Sequence, residues 1–291
     1  MLEKYDARIN AYQATCLSEL PKYSSWPKRL LGLEEFKQRL KNKQEVLREY
    51  EKEKWGELLK LFKKKDWSSF SEFRDSVNGG HSLLPRSWKD RLFLLGESDF
   101  NHLQADILAD ILTHFLPSGN IVELGCGFGG MLLDVAGRRQ LKQVQFIGGD
   151  IAPSGVELVN LMAKKFDLKV QAHAFDFENF NKSLIPADAI ILTSFSLSCF
   201  DRSMEKNIED FMSARPKVVI HLEPVNCQAN KDDLLSLMRK RYLEVNGYNG
   251  DLGIVLKGLE KIGSIKILAQ QEHFLGANPF IPVSLIIWKP V

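Results

Sequence analysis

The stretch Ile121-Val-Glu-Leu-Gly-Cys-Gly-Phe-Gly-Gly130 constrains this chain more than any other. It reads as a short buried strand, a tight turn and the first residues of a helix. Gly125, Gly127 and Gly129 hold alternate positions of the turn. Glycine accepts positive φ and lets a ligand approach the backbone with no Cβ in the way. The helix that follows presents free amides at its N-terminus. Glu123 sits just before the turn. A carboxylate there would repel a pyrophosphate and suits a cationic ligand.

From this turn onward, apolar runs alternate with amphipathic ones. The pattern predicts strands over 120–124, 144–148, 169–174, 189–193 and 217–222. Helices are expected over 131–138, 153–166 (opened by Pro153), 204–212, 230–244 and 251–262. Two last strands, 264–269 and 283–288, have only residues 270–282 between them and should pair antiparallel. Strand–helix alternation of this kind predicts an α/β fold: a seven-stranded, mostly parallel, doubly wound sheet with an antiparallel terminal hairpin.

The chain before the turn has a different character. Residues 1–75 contain two glycines, and over 1–67 there are 16 Lys/Arg against 11 Asp/Glu, a net of +5. Leu33, Phe36, Leu40, Leu47, Tyr50, Leu58, Leu61 and Phe62 follow helical spacing. They predict a long amphipathic helix with a break near Trp55-Gly56. A basic helix could touch nucleic acid or an acidic lipid surface; interleaved Glu favours the plainer reading of a solvated outer face. Residues 76–100, with Val77-Asn-Gly-Gly-His81 and Leu84-Pro85, read as irregular, either a linker or a lid. A helix is expected from Glu97 to Phe115, with Ser98 or Asp99 as its N-cap. Two regions follow: a helical N-terminal cap or partner region over 1–95, and an α/β domain over 96–291.

At 291 residues the chain can bury a large core, and its net charge of +2 selects no strongly acidic partner. No apolar run approaches the roughly 20 residues of a membrane span, and no signal-peptide core is evident. Cys16, Cys126, Cys199 and Cys227 are scattered without a C-x-x-C pair. That argues against zinc and for a reducing, cytoplasmic setting. No metal is expected. The oligomeric state is left open, a homo-oligomer included.

In a doubly wound sheet, ligands meet the carboxyl ends of the strands. Those ends carry Glu123, Asp150, Asp176, Thr193, His221 and Glu223. Asp150 follows Gly129 by 21 positions, the distance at which an acid after the second strand reaches a ribose. Gly125, Gly127 and Gly130 also satisfy the dinucleotide pattern G-x-G-x-x-G. Glu123 and the terminal hairpin weigh against that alternative.

At these residues the sequence resembles the class I S-adenosylmethionine-dependent methyltransferases. Glu123-Leu-Gly-Cys126-Gly-Phe-Gly129 is similar to their first motif. Asp150, with Ile151 beside it, matches the acid that holds the cofactor ribose. Asp176-Phe177 matches the pair that meets the adenine, and Thr193 stands at the fourth strand end. The resemblance covers about residues 97–291. It implies S-adenosyl-L-methionine as cofactor and methyl transfer as the activity.

For an oxygen acceptor a general base helps, and the candidates are His221, Glu223, His102 and His273. His221 and Glu223 flank Leu222, so both are expected on one face of the strand. Thr193-Ser-Phe-Ser-Leu197 lacks the Asn/Asp-Pro-Pro-aromatic motif of nucleobase- and glutamine-methylating relatives. The surface is not strongly basic, which disfavours nucleic acid. A small-molecule acceptor is expected (a sugar, a metabolite or a natural-product intermediate), with O-methylation favoured. The alternatives are a cofactor-binding protein without catalysis and an RNA or protein methyltransferase that uses the basic helix. Asn246-Gly-Tyr-Asn-Gly250 is either a substrate-facing insertion or plain turn chemistry.

Overall fold

The computed structural model describes residues 2–35, 43–77, 82–116, 119–199, 202–226 and 233–291. In the N-terminal region, helix α1 (Glu3–Asn10) and the short helix α2 (Trp26–Leu30) precede α3 (Lys43–Arg48). A π-helical turn, Glu49–Lys54, joins α3 to α4 (Trp55–Lys64), and α5 (Phe70–Val77) follows. Two strands come next, β1 (Leu84–Trp88) and β2 (Arg91–Leu95). The remainder alternates: α6 (Glu97–Phe115), β3 (Ile121–Leu124), α7 (Gly130–Ala136), β4 (Phe146–Asp150), α8 (Pro153–Lys165), β5 (Val170–Ala174), β6 (Ile190–Ser194), α9 (Met204–Ser213) and β7 (Val218–Glu223). Helices α10 (Leu234–Asn246) and α11 (Leu252–Lys261) lead to the final strands β8 (Ile265–Gly276) and β9 (Val283–Pro290).

Among the described residues the strands form one sheet of nine, in the order β2-β1-β8-β9-β7-β6-β3-β4-β5. Strands β3 to β7 are parallel, and the crossover reverses at β3, between β4 and β6. β9 inserts antiparallel beside β7 and pairs with β8 as a hairpin. The expected seven-stranded sheet is therefore part of a larger one. The correction lies in 84–95, expected to be irregular. There β1 and β2 form an antiparallel hairpin, turned at Lys89 (φ 55°), and β1 pairs with β8 through Ser87 and Trp88. Pro85 near the start of a strand is compatible with this, because it withholds a donor at only one ladder position. The strand β8 is also longer than expected. Gln270-Gln-Glu-His273 looks like a loop in sequence, but register shifts accommodate the polar run within the strand. Val77 is the last described residue before 82, so the expected Asn78-Gly-Gly-His81 loop lies outside the described residues.

The apolar pattern of α6 reads as expected. Leu103, Ile107, Leu108, Ile111 and Leu112 are all buried in the main core. The helix spans Glu97–Phe115 as expected, but its N-cap is Gly96, not Ser98 or Asp99, which lie inside the first turn. Glu97 then pairs with Arg86 of β1, a guanidinium that also donates to Ala277 O at 2.7 Å and lies over Phe100. One buried cation thus joins the N-terminal hairpin to α6 and to the β8–β9 turn.

The expected long helix is described from Lys43 onward; Leu33 lies in a bend, and Phe36 and Leu40 lie outside the described residues. The break falls where expected: the π turn ends at Trp55. Helix α4 lies along α8. Its Phe62 meets Phe73 edge-on at 5.2 Å, and Phe62 and Phe70 both reach Phe166 beyond α8. The polar side of the same contact is made by Glu51. Pro153 and Ser154 open α8, where first-turn amides lack helical acceptors. Ser154 N donates to Glu51 Oε2 at 2.9 Å, and Ser154 Oγ donates to Glu51 O and Oε2, both at 2.9 Å. A carboxylate at a helix N-terminus is also favoured by the dipole. Lys63–Glu157 and Lys165–Asp66 extend the contact at the surface.

Glu51→Ala should lower the stability of the folded chain by about 1–2 kcal/mol, the range for losing a helix cap. Amide exchange in 49–64 should also quicken. Unchanged exchange there would mean that the aromatic contacts alone hold the segment on α8.

Candidate functional site

The glycine turn is held against the end of β4 by two backbone bonds, Gly125 N to Gly149 O (2.7 Å) and Cys126 N to Gly149 O (3.1 Å). Gly125, Gly127 and Gly129 all have positive φ, at 79°, 57° and 76°. At Gly125 a Cβ would fall 2.3 Å from Ser196 Cβ, so no other residue fits this turn. Asp150 locks the turn from the neighbouring strand. Its Oδ2 accepts from Gly127 N at 2.7 Å and its Oδ1 from Ala152 N at 2.9 Å. Burial raises the Asp150 carboxyl, and these two amides oppose the rise.

Above the turn lies a cavity of about 350 Å³. Its floor runs across the sheet, from Asp176 and Phe177 beyond β5, past Asp150 and Ile151 at β4, to Glu123, Gly125, Cys126 and Gly127 at β3. The walls come from places the sequence did not single out. Leu47, Tyr50 and Trp55 belong to the N-terminal segment, Arg74 to α5, Gln104 to α6, Phe128 and Met131 to the start of α7, and Phe195 and Ser196 to the loop after β6. Tyr50, Trp55 and Phe128 form a continuous aromatic wall, with ring centroids 5.4 and 5.0 Å apart. Trp55 sits so close that a Cβ on Gly127 would lie 3.0 Å from its ring.

Glu123 is 3% exposed, and its Oε2 is buried without a hydrogen-bond partner. Burial, reinforced by the nearby Asp150, pushes its carboxyl up to about 8, against the opposing pull of Arg74. Burial, Asp150 and Glu123 together raise the Cys126 thiol, so it stays protonated. An acid of this kind is neutral when nothing is bound and becomes an anion when a cation arrives.

Of the ten residues expected at the cofactor, Glu123, Gly125, Cys126, Gly127, Asp150, Ile151, Asp176 and Phe177 line this cavity. Gly129 packs against Val159 of α8, and Thr193 is fully buried in the sheet. The expected catalytic residues are placed elsewhere. His221 and Glu223 do share a face of β7, but α9 covers that face. His221 is 0% exposed. Trp288 Nε1 donates to its Nε2 at 2.9 Å, and its Nδ1 lies 2.8 Å from Thr193 Oγ1. With Nε2 accepting, Nδ1 carries the proton and donates to the threonine. Burial holds this imidazole down to about 3, so it stays neutral. Burial raises the Glu223 carboxyl, and the amides of Ser196 and Leu197, with Thr193, oppose the rise. Glu223 accepts from Ser196 N (3.0 Å), Leu197 N (3.2 Å) and Ser196 Oγ (3.2 Å). A buried polar chain from Trp288 through His221, Thr193 and Glu223 thus fixes the loop that carries Phe195 and Ser196 to the cavity. None of its members reaches the cavity.

His102 lies on α6 and faces Arg138, which donates to its carbonyl at 3.0 Å. It too is outside the cavity lining, although Gln104, two residues on, is part of it. His273 is buried against Arg239 (Nη1 to Nδ1, 2.9 Å) and Asp90, in the outer part of the sheet. At 246–250 the turn reading holds: Gly247 is the left-handed cap of α10, and Asn249 Oδ1 accepts from Asp251 N. No helix among the described residues is long and apolar enough to cross a membrane.

No protein-family model matches the chain, and no curated protein matches it significantly. Solved structures do resemble it. The magnesium protoporphyrin IX methyltransferase (ChlM) from Synechocystis PCC 6803, with bound SAH, is similar at a TM-score of 0.55 and 11% identity, over 86% of this chain and 100% of that one. The 16S rRNA methyltransferase RmtF, in complex with S-adenosyl-L-homocysteine, is similar at 0.49 and 16% identity, over 82% of this chain and 75% of that one. The first of these similarities shows that the chain has the class I S-adenosylmethionine-dependent methyltransferase fold.

Two outcomes follow from the site's electrostatics and packing. The folded chain keeps the Glu123 proton that an unfolded chain releases near 4.5, so folding stability falls as pH rises from about 4.5 to about 8. The melting temperature of Glu123→Gln should therefore match wild type near pH 5 and exceed it increasingly toward pH 8. A pH-independent difference would contradict the burial of an ionising group. His221→Asn should cost about 1–3 kcal/mol in urea unfolding, because buried partners lose their bonds, while ligand affinity stays near wild type. A variant of normal stability that binds nothing would return His221 to the site.

Proposed function

We propose that this chain binds S-adenosyl-L-methionine and transfers its methyl group to a small, largely apolar acceptor. One observation carries the reading: a buried, partnerless carboxyl at Glu123 beside a glycine turn, in a fold of this class. A buried carboxyl without a partner is costly, and a cationic ligand offsets that cost. The bound cofactor supplies a sulfonium-activated methyl group. What remains for the protein is to bind, align and exclude water. The residues present fit that task. Asp150 and Asp176 offer acceptors for hydroxyl and amino donors at the strand ends. Phe177, Ile151 and Phe175 offer flat or apolar surface beside them. The SAH held by the ChlM structure supports the same cofactor.

In this reading residues 96–291 carry the cofactor and residues 1–95 cap it. Tyr50 and Trp55 close the cleft from above and keep water from the reacting carbon. The enclosed aromatic wall suits a small molecule better than a polymer. Part of the basic charge of the N-terminal segment is engaged: Lys54, Lys60, Lys63 and Lys65 pair with Glu49, Glu57, Glu157 and Glu72. These pairs weigh against an RNA surface at α4. Nothing in the described lining selects an oxygen acceptor, since His102, His221 and His273 all lie outside it.

The second reading, a protein that holds the cofactor without turnover, draws support from the same finding: the residues expected to act as base do not line the cavity. Labelled S-adenosylmethionine incubated with a metabolite extract, and separately with RNA and with protein, distinguishes the readings. Label should enter the small-molecule fraction only. Cofactor binding with no transfer to any fraction would leave the second reading. Absence of binding by a folded chain would overturn both.

A further inference from the structure

The histidines expected to act as base lie outside the cavity, yet the cavity holds a group able to take a proton. Among the described residues six ionisable side chains line it: Tyr50, Arg74, Glu123, Cys126, Asp150 and Asp176. Five of them are committed elsewhere. Arg74 is ion-paired with Asp134 of α7. Burial keeps Cys126 a thiol and Glu123 an acid at neutral pH. Asp150 holds the glycine turn and the α8 entrance with its two oxygens. Asp176 holds the turn after β5 in the same way, accepting from Glu178 N at 3.0 Å and from Asn179 Nδ2 at 2.9 Å.

The setting of Tyr50 is different. It lies in the π turn Glu49–Lys54, which brings Lys54 Nζ to 4.1 Å from the centre of the Tyr50 ring. Glu49, at the start of the same turn, pairs with Lys54 at 3.1 Å and helps to hold the ammonium there. Burial works against the Lys54 cation, but Tyr50 and Glu49 outweigh it, so the charge is kept. A cation this close favours an ionised phenol over a neutral one. A wall that only excluded water would need rings, as Trp55 and Phe128 supply, and no cation beside one of them. We propose that Tyr50 Oη is the base that takes the proton of the methyl acceptor, and that Lys54 is the positioning residue that holds it ready. This rests on the methyl-transfer reading above. The acceptor's lone pair bonds to the methyl carbon while the carbon–sulfur bond breaks and leaves its electron pair on sulfur. The acceptor's proton passes to Tyr50 Oη, which changes from phenolate to phenol and afterwards returns the proton to solvent. The acceptor is then a group that must lose a proton on methylation, such as an alcohol, a phenol or an amine. The capping region supplies chemistry as well as covering the cleft.

Two measurements on the full chain test this. The first needs no acceptor. Ultraviolet titration of each protein against its Tyr50→Phe counterpart isolates the ionisation of Tyr50. That ionisation should move to higher pH by about one unit or more in Lys54→Met, and return to the wild-type position in Lys54→Arg. The second follows label from a saturating concentration of S-adenosylmethionine into the small molecules of a metabolite extract. Tyr50→Phe keeps the ring and should slow transfer about a hundredfold or more. Lys54→Met should need a higher pH than wild type to reach the same rate, while Lys54→Arg follows the wild-type profile. A Tyr50→Phe protein as fast as wild type would overturn the proposal. So would a titration and a pH profile that Lys54→Met leaves in place, since Tyr50 would then be wall alone. Wild type that binds cofactor but labels no fraction would remove methyl transfer and the proposal with it, a result distinct from transfer that survives loss of the hydroxyl.

Discussion

Burying a carboxyl group beside another carboxyl is the constraint that shapes this cavity. Glu123 sits within a parallel strand where water cannot reach its Oε2, and Asp150 stands on the next strand. Asp150 is compensated, since two amides of the turn and of the α8 entrance donate to it. Glu123 is not. A native fold tolerates few buried polar atoms without partners, and those it keeps are often tied to function. The glycine turn, the aromatic wall and α5 all serve to keep that group dry and addressed from one side.

The N-terminal region makes this possible. Helix α4 brings Trp55 over Gly127, and a π turn brings Tyr50 into the wall and Glu51 to the first amides of α8. π turns inside helices recur at functional sites, where the extra residue re-aims side chains. Here the re-aiming lets one short segment serve two ends: Glu51 secures it to the α/β layer, and the aromatic side chains face the cavity. The aromatic cluster of Phe62, Trp67, Phe70 and Phe73 supplies the packing that holds the segment in register.

The parallel layers were legible in the sequence because period and punctuation agreed. Pro153 opens α8, the glycines mark the turn after β3, and the terminal strands lack a helix between them. Residues 84–95 were not legible, because Pro85 and the neighbouring glycines suggest loop chemistry, whereas β1 and β2 form a local hairpin that is anchored to the sheet by pairing with β8, far away in sequence. His221 shows a different limit. The alternation rule placed it correctly on one face with Glu223 but could not say that α9 covers that face, so a packed histidine read as a base. The cavity walls were invisible for a related reason. Arg74, Gln104, Tyr50 and Trp55 come from helices whose periodicity tells which side is buried but not against what.

The most direct test of the central claim, that Glu123 meets a cationic ligand, is the proton balance of binding. Calorimetry of the wild-type chain with S-adenosylhomocysteine at pH 7, in buffers of different ionisation enthalpy, counts the protons exchanged. With the empty-site carboxyl near 8, a ligand ammonium that draws it into the charged form should release close to one proton, and affinity should rise with pH toward 8. Binding with no proton release and no dependence on pH would contradict the account.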